Sequence, residues 1–174
     1  LLAQKMALKL SDYVVNECGF AADLGAEKYL NIVMRQSNLK PSAAVLVVTA
    51  KAVLAQENNS NNNTYETEGF SNLSKHIENL RKFNLPVIVA INRFPDDKES
   101  ELNKLIEFCQ EIKIHVSTVN VFNQGGDGAL DLASKVIDAA NQTDLSKINS
   151  LYPSELSLFE KLQVIAKEIY GASD

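Results

Sequence analysis

The stretch Leu85-Pro86-Val87-Ile88-Val89-Ala90-Ile91-Asn92-Arg93-Phe94-Pro95 decides the fold class of this chain. Residues 85–91 are apolar throughout, which is typical of a strand covered on both faces in a parallel sheet. A second run of this kind spans 43–49. Shorter apolar runs rich in β-branched residues occupy 13–15 and 114–121, so we expect four strands.

Helical patterns with one apolar stripe lie between and after these runs. The stripes are Phe70, Leu73, Ile77 and Leu80; Leu102, Leu105, Ile106 and Cys109; Leu130, Ala133, Val136, Ile137 and Ala140; and Leu158, Leu162, Ile165, Ala166 and Ile169. Gly171 is placed to end the last helix in a left-handed conformation. The alternation predicts an α/β fold in which a layered, mostly parallel sheet is flanked by helices. We expect 1–174 to form a single domain, with an exposed polar loop at 56–68.

Composition excludes several classes of protein. The 174 residues include 17 Lys and Arg against 22 Asp and Glu, a net charge of −5, so binding to nucleic acid through phosphate contacts is not expected. The longest apolar run, 43–48, is far shorter than the roughly 20 residues of a membrane span. Cys18 and Cys109 have no metal-ligand spacing, which favours a reducing, cytoplasmic setting.

Three segments follow predicted strands and are candidates for function, because ligands of open parallel sheets bind beyond the carboxyl ends of the strands. They are 16–28, 92–97 and 122–128. In the last, Gly125, Gly126 and Gly128 precede a helix, so their amides could bind an anion. The alternative, favoured by spacing alone, is a turn that needs positive φ with Asp127 as the helix N-cap.

Phe94 and Pro95 place a large aromatic ring and a rigid residue where a strand should give way to polar loop. Such a pair can form a flat wall for a planar ligand. Equally, Phe94 could cap the core while Asp96 or Asp97 caps the next helix. Phe122 has the same two interpretations after the following strand.

Acidic and nucleophilic residues form a weaker group of candidates. Glu17, Asp23 and Glu27 could supply carboxylate ligands to a cation, but Asp23 is better explained as a cap and Glu27 as a surface charge, which leaves Glu17 as a weak metal candidate. Cys18 is expected to be a small buried thiol. The two histidines, His76 and His115, have no companion at catalytic or metal-ligand spacing, so we expect structural or solvated roles for both.

Taken together, these segments resemble formate–tetrahydrofolate ligase. The matching motifs, in the family's order, are Asp12-Tyr13-Val14-Val15, Gly19-Phe20, Ala22-Asp23-Leu24-Gly25-Ala26-Glu27-Lys28, Lys75-His76-Ile77-Glu78-Asn79, Ala90-Ile91-Asn92-Arg93-Phe94-Pro95 and Ile169-Tyr170-Gly171-Ala172. The resemblance implies part of a P-loop-NTPase-like domain. It also implies an enzyme that uses ATP, with Mg²⁺ and a monovalent cation, to join formate to tetrahydrofolate through formyl phosphate.

The resemblance assigns roles to particular residues. Phe94, with Pro95 beside it, and Phe122 would sandwich the pterin ring of the folate. The loops around the substrate and nucleotide pocket would include Asn92, Arg93, Gly125, Gly126, Asp127, Gly19 and Asp23. The catalytic residues are left unknown. Full-length members are homotetramers, so the remainder of the enzyme and further copies of it are expected partners, without nucleic acid or membrane.

The sequence also departs from the family pattern. Phe122 stands where Trp is usual, Ala21 replaces a Gly, Gln124 a Lys and Asp127 a Glu. The family's phosphate loop, Gly-Glu-Gly-Lys-Thr-Thr, belongs upstream of the matched segment, and a carboxy-terminal region belongs beyond it. We therefore expect an internal fragment that is inactive alone.

Two other interpretations differ in class. A non-catalytic binding or oligomerisation module derived from the enzyme stays open. A GTPase-like domain is poorly supported, because Arg93 and Pro95 break the spacing of a base-reading motif and no Gly-Lys-Ser/Thr occurs in the chain.

Overall fold

A three-stranded parallel sheet organises the chain, as shown by a computed structural model that describes residues 1–19, 21–55 and 68–173. The strands are β1 (Ala44–Val48), β2 (Val87–Asn92) and β3 (His115–Val119), in the order β1-β2-β3. Ala44 pairs with Val87, and Ile88 pairs with His115. The sheet confirms the predicted α/β class and three of the four predicted strands.

Helices connect and flank the strands. They are α1 (Leu2–Leu10), α2 (Met34–Ser37), α3 (Ala50–Leu54), α4 (Glu68–Arg81), α5 (Glu99–Glu111), α6 (Val121–Gln124), α7 (Leu130–Gln142) and α8 (Leu158–Glu168). Two π-helical turns, Ala22–Ala26 and Tyr29–Val33, precede α2. Two 3-10 turns, Gly125–Ala129 and Leu145–Lys147, flank α7. None of the helices in the described ranges is long and apolar enough to cross a membrane.

The core lies around β2, whose residues from Val87 to Ile91 are all buried. Helices α4 and α5 cover it with the apolar stripes predicted for them. Phe70 at the start of α4 meets Phe108 of α5, with ring centroids 4.8 Å apart. Burial on both faces explains why β2 carries no polar residue before Asn92.

The predicted strand at 13–15 is wrong. These residues form no strand, and Tyr13 and Val15 are 59% and 96% exposed. Three β-branched or aromatic residues favour extended backbone, but a strand also needs a neighbour to satisfy its amides and carbonyls. No such neighbour pairs with them in the part of the chain that the structure describes.

The amphipathic helices α7 and α8 form as predicted, but part of each apolar stripe is exposed. Leu130 of α7 and Leu158 of α8 are 64% and 75% exposed. Polar contacts hold α7 on the sheet, because Lys135 Nζ donates to the carbonyl of Val116 (2.7 Å) and the Ser117 hydroxyl donates to Asp131 (2.6 Å).

Both ends of α8 are well defined. Ser157 and Glu160 form a reciprocal capping box at its first turn. Gly171 has φ +72°, which confirms the predicted left-handed stop. The predicted loop at 56–68 lies outside the described residues, except that Glu68 begins α4.

Candidate functional site

The carboxyl edge of the sheet brings together two of the three segments singled out in the sequence. The amide of Arg93 donates to the carbonyl of Val119 (2.9 Å), which continues the β2–β3 pairing one residue past the end of β2. Phe94 and Pro95 therefore leave the sheet beside the point where β3 gives way to α6, the helix that carries Phe122. We define the residues Asn92–Asp97 and Val121–Ala129 as the edge site.

Phe94 presents part of its ring to solvent, with 40% of the residue exposed. The ammonium of Lys51 lies 6.0 Å from the centroid of this ring and forms an ion pair with Asp96. That hydrogen bond to Asp96 is the largest cause of a raised Lys51 pKa, so the side chain is a cation at neutral pH. An aromatic face beside a cation suits a flat ligand with polar edges.

Asp97 fixes the turn that carries Phe94. Its Oδ2 accepts a hydrogen bond from the amide of Phe94 (2.8 Å), while the amide of Asp97 donates to the carbonyl of Phe94 (3.1 Å). The predicted alternative, Asp96 or Asp97 as the cap of the next helix, is wrong. Helix α5 begins after Lys98 and has no side-chain cap. The Asp97 carboxylate is bound to the Phe94 amide, and the Asp96 carboxylate is paired with Lys51.

The second predicted wall residue, Phe122, is 84% exposed on α6. Asn92 and Arg93 are half-buried at the end of β2, and the guanidinium of Arg93 pairs with Glu99. Both rings of the predicted sandwich are thus accessible at the same edge.

In the glycine-rich turn after α6, the predicted positive φ is confirmed, whereas the predicted helix cap is wrong. Gly125 has φ +56°, a conformation that favours glycine. Asp127, however, is not the cap of α7, because it lies inside the 3-10 turn Gly125–Ala129 and α7 starts after Ala129. Gly126 and Asp127 are exposed, and anion binding by these amides stays a prediction.

Gly128 has a different reason to be glycine. A Cβ at this position would lie 2.4 Å from the carbonyl oxygen of Asn120, because the carbonyl of Gly128 accepts from the amide of Asn120 (3.0 Å). This bond closes the α6 turn back onto the end of β3.

The remaining segment, residues 16–28, lines a separate pocket of about 490 Å³. No residue of the edge site contributes to the lining of this pocket. Glu17, Gly19, Asp23 and Glu27 line it together with Tyr170. The Tyr170 hydroxyl donates to the carbonyl of Asp23 (3.1 Å). The family resemblance implies that Gly19 and Asp23 belong to the same pocket as Asn92 and Arg93. In the structure, Gly19 and Asp23 line a different pocket.

Several expectations about this pocket need correction. Asp23 is not a helix cap, because the first π-helical turn starts after Ala21 and Asp23 lies within it. Its carboxylate instead faces His76, with Oδ1 and Nδ1 3.9 Å apart. Glu27 is half-buried and accepts a hydrogen bond from Asn31 (2.8 Å).

Cys18 is exposed, and the expectation of a buried thiol is wrong. Its pKa is raised, mainly because neighbouring groups partly desolvate the sulfur, an effect that Lys28 opposes and Glu17 slightly reinforces. A raised pKa leaves little thiolate at neutral pH, so Cys18 is not an activated nucleophile. Cys109 is buried within α5, which raises its pKa to about 11.

The metal ions that the family resemblance implies have no ligand set of three His, Cys, Asp or Glu side chains in the described ranges. Glu17, Asp23 and Glu27 share a pocket lining without forming such a set, and Glu17 itself is exposed.

The sequence did not indicate Lys51 as a site residue. It predicted Asp97 as a helix cap, whereas the Asp97 carboxylate accepts a hydrogen bond from the Phe94 amide. Lys51 reaches Phe94 from the helix after β1, a contact between segments far apart in the chain. The signal available was positional, since Lys51 lies two residues after a predicted strand and the other candidates also follow strands.

Comparisons with known proteins identify the family of this chain. The model of the formate–tetrahydrofolate ligase family matches residues 1–174. A formate–tetrahydrofolate ligase from Caldicellulosiruptor saccharolyticus is 48% identical over 181 aligned residues, which cover 100% of this chain and 32% of that protein. The chain thus spans about a third of the length of this curated relative. An α/β sheet with an exposed aromatic edge and a family match along the whole chain lead to one conclusion: the chain belongs to the formate–tetrahydrofolate ligase family.

Proposed function

We propose that this chain supplies the folate-binding wall of an ATP-dependent ligase that makes 10-formyltetrahydrofolate from formate and tetrahydrofolate. The observation that carries the proposal is the exposed pair Phe94 and Phe122 at the carboxyl ends of two neighbouring strands. A pterin is flat and amphipathic, so aromatic faces that remain accessible to solvent suit it.

The reaction in this proposal proceeds in two steps. A formate oxygen attacks the γ-phosphorus of ATP, so ADP leaves and formyl phosphate forms. The N10 amine of tetrahydrofolate then attacks the formyl carbon, phosphate leaves with the C–O bond electrons, and N10 loses its proton. The edge site contributes by holding the pterin, which fixes the position of N10 relative to the acyl carbon.

The phosphoryl-transfer step needs groups beyond those in this chain. Stabilising the transferred phosphoryl group calls for a phosphate-binding Lys and Mg²⁺, and the 174 residues contain no Gly-Lys-Ser/Thr motif. We therefore propose that the 174-residue polypeptide alone binds folate without forming formyl phosphate. Formate-dependent ADP production by this polypeptide would contradict that part of the proposal.

The binding experiment is calorimetric titration of the 174-residue chain with tetrahydrofolate. Micromolar binding is expected, with a loss of about tenfold in Phe94→Ala, because removing a stacking ring costs about 1.4 kcal/mol. Phe122→Trp is expected to bind more tightly than wild type, since the larger ring covers more of the pterin. Tyr13→Ala removes an exposed aromatic ring outside the edge site and serves as the control.

A second candidate is a binding or oligomerisation module without catalytic function. The exposed apolar residues of α1 and α8 favour it, since such patches mark interaction surfaces. This candidate replaces the first if titration with millimolar tetrahydrofolate produces no heat of binding and the chain nevertheless associates with further copies of itself.

The remaining proposals concern the setting of the enzyme. Free Cys18 and Cys109 support a reducing, cytoplasmic compartment. We further propose that the complete ligase works as a homo-oligomer with ATP, Mg²⁺ and a monovalent cation bound by parts of the protein beyond these residues.

A further inference from the structure

One carboxylate at the edge site stands out because it is buried and only half satisfied. Asp97 is 9% exposed. Its Oδ2 accepts from the amide of Phe94, whereas its Oδ1 is buried with no hydrogen-bond partner in the described residues. A buried polar atom without a partner costs free energy, so stability alone does not explain an aspartate here.

The geometry links this carboxylate to one ring. The two hydrogen bonds between Phe94 and Asp97 close a four-residue turn that also contains Pro95, whose ring restricts the backbone further. The backbone of Phe94 is thus held from both sides, although 40% of the residue is exposed. A ring that meets a ligand from a fixed backbone loses less conformational entropy on binding.

From this geometry we propose that Asp97 is a positioning residue for folate, acting through Phe94 by holding the turn that orients the ring. This inference rests on the proposed function. Asp97 does not touch the ligand in this scheme, so its whole effect on folate affinity passes through Phe94. Locally unfavourable residues of this kind are expected where a site constrains the sequence.

The test is a double-mutant cycle measured by titration with tetrahydrofolate. Asp97→Ala is expected to weaken binding about tenfold in the wild-type background, the effect of losing one charge-assisted hydrogen bond. In the Phe94→Ala background the same substitution is expected to change the affinity by less than about twofold, because the ring it positions is gone. Asp97→Asn keeps an oxygen acceptor for the Phe94 amide and is expected to restore most of the wild-type affinity.

A matched control removes the same kind of bond at the other end of the sheet. Asp144 accepts from the amide of Ser146 (3.0 Å) in a turn near the start of β2, where Asn84 donates to Lys147 (3.0 Å). Asp144→Ala should lower thermal stability similarly while leaving folate affinity unchanged. Hydrogen exchange of the Phe94 amide gives a readout without ligand, and we expect faster exchange in Asp97→Ala than in Asp144→Ala.

The outcomes separate the inference from the proposed function. Wild-type chain that fails to bind tetrahydrofolate contradicts both. Binding that is lost in Phe94→Ala but unaffected by Asp97→Ala leaves the proposed function standing and overturns the inference. An equal loss from Asp97→Ala in both backgrounds also overturns it, because Asp97 would then act independently of the ring. If Asp97→Ala does not fold, Asp97→Ser takes its place in the same cycle, because the shorter side chain also withdraws the acceptor from the Phe94 amide: a loss confined to the background with Phe94 supports positioning, and an unchanged affinity or an equal loss in both backgrounds overturns it.

Discussion

Gly126 and Gly128 are two positions apart in the same turn, but the space around them differs. Nothing lies within 4 Å of a Cβ built on Gly126, whereas one on Gly128 would meet the Asn120 carbonyl. A glycine cluster in a sequence gives no indication of which member is constrained. Here the constraint at Gly128 is a close backbone approach, and at Gly125 it is a positive φ.

Gly128→Ala is accordingly expected to destabilise the chain by about 2 kcal/mol, because the backbone of Asn120 must move to admit a methyl group. Gly126→Ala is expected to cost no more than about 0.5 kcal/mol. Chemical denaturation of the two variants measures the difference. Equal stabilities would show that the α6 turn can relax away from β3.

At the scale of elements, helix α7 is attached to the sheet in an unusual way. It has no buried residue, so its contacts with β3 depend on Lys135 and Asp131 rather than on an apolar seam. The pKa of Asp131 is lowered chiefly by the hydrogen bond from Lys135 and also by the one from Ser117. A lowered pKa means that the ionised carboxylate is the form that stabilises the attached helix.

The contribution of Asp131 is therefore fully present above its ordinary pKa of 3.8 and is lost as the pH falls through the lower pKa of the folded chain. Asp131→Asn should reduce amide-exchange protection in α7 about threefold at neutral pH, a modest effect because the pair is exposed. The variant should also lose the acid dependence of that protection. Asp138→Asn, on the same helix, is the control, and an identical loss there would contradict the assignment.

The sequence predicted elements well where local pattern and tertiary burial agree. Val87 to Ile91 are apolar at every position because β2 is covered on both faces, and the α4 and α5 stripes pack on it. Prediction failed at Tyr13–Val15, since a strand depends on a neighbour that local pattern cannot supply. It also missed Lys51 beside Phe94, because that contact joins α3 to the turn after β2.

At the scale of the whole molecule, apolar surface is distributed around the buried centre. Leu2 of α1 is 85% exposed, and Leu158, Phe159 and Leu162 of α8 are 75%, 69% and 56% exposed. Amphipathic periodicity predicts that a helix has an apolar face but says nothing about what covers it. Contiguous exposed faces of this kind favour association in water.

We expect the 174-residue polypeptide to self-associate at concentrations of tens of micromolar, an order-of-magnitude value for modest apolar contacts. A variant with Leu158, Phe159 and Leu162 all changed to Gln should shift the population toward monomer in sedimentation velocity. Gln163→Ala, an exposed change on the same helix, serves as the control. Monomeric wild-type chain at such concentrations would show that these faces do not drive association.

The parallel register described for the sheet also has a consequence for chain length. The residues Ile88 to Ile91 of β2 have partners on both sides, because β1 pairs along one edge of β2 and β3 along the other. A single added residue inside β2 would invert the orientation of every side chain beyond it. Such an insertion would therefore disturb both pairings at once and would also turn over the backbone that leads to Phe94.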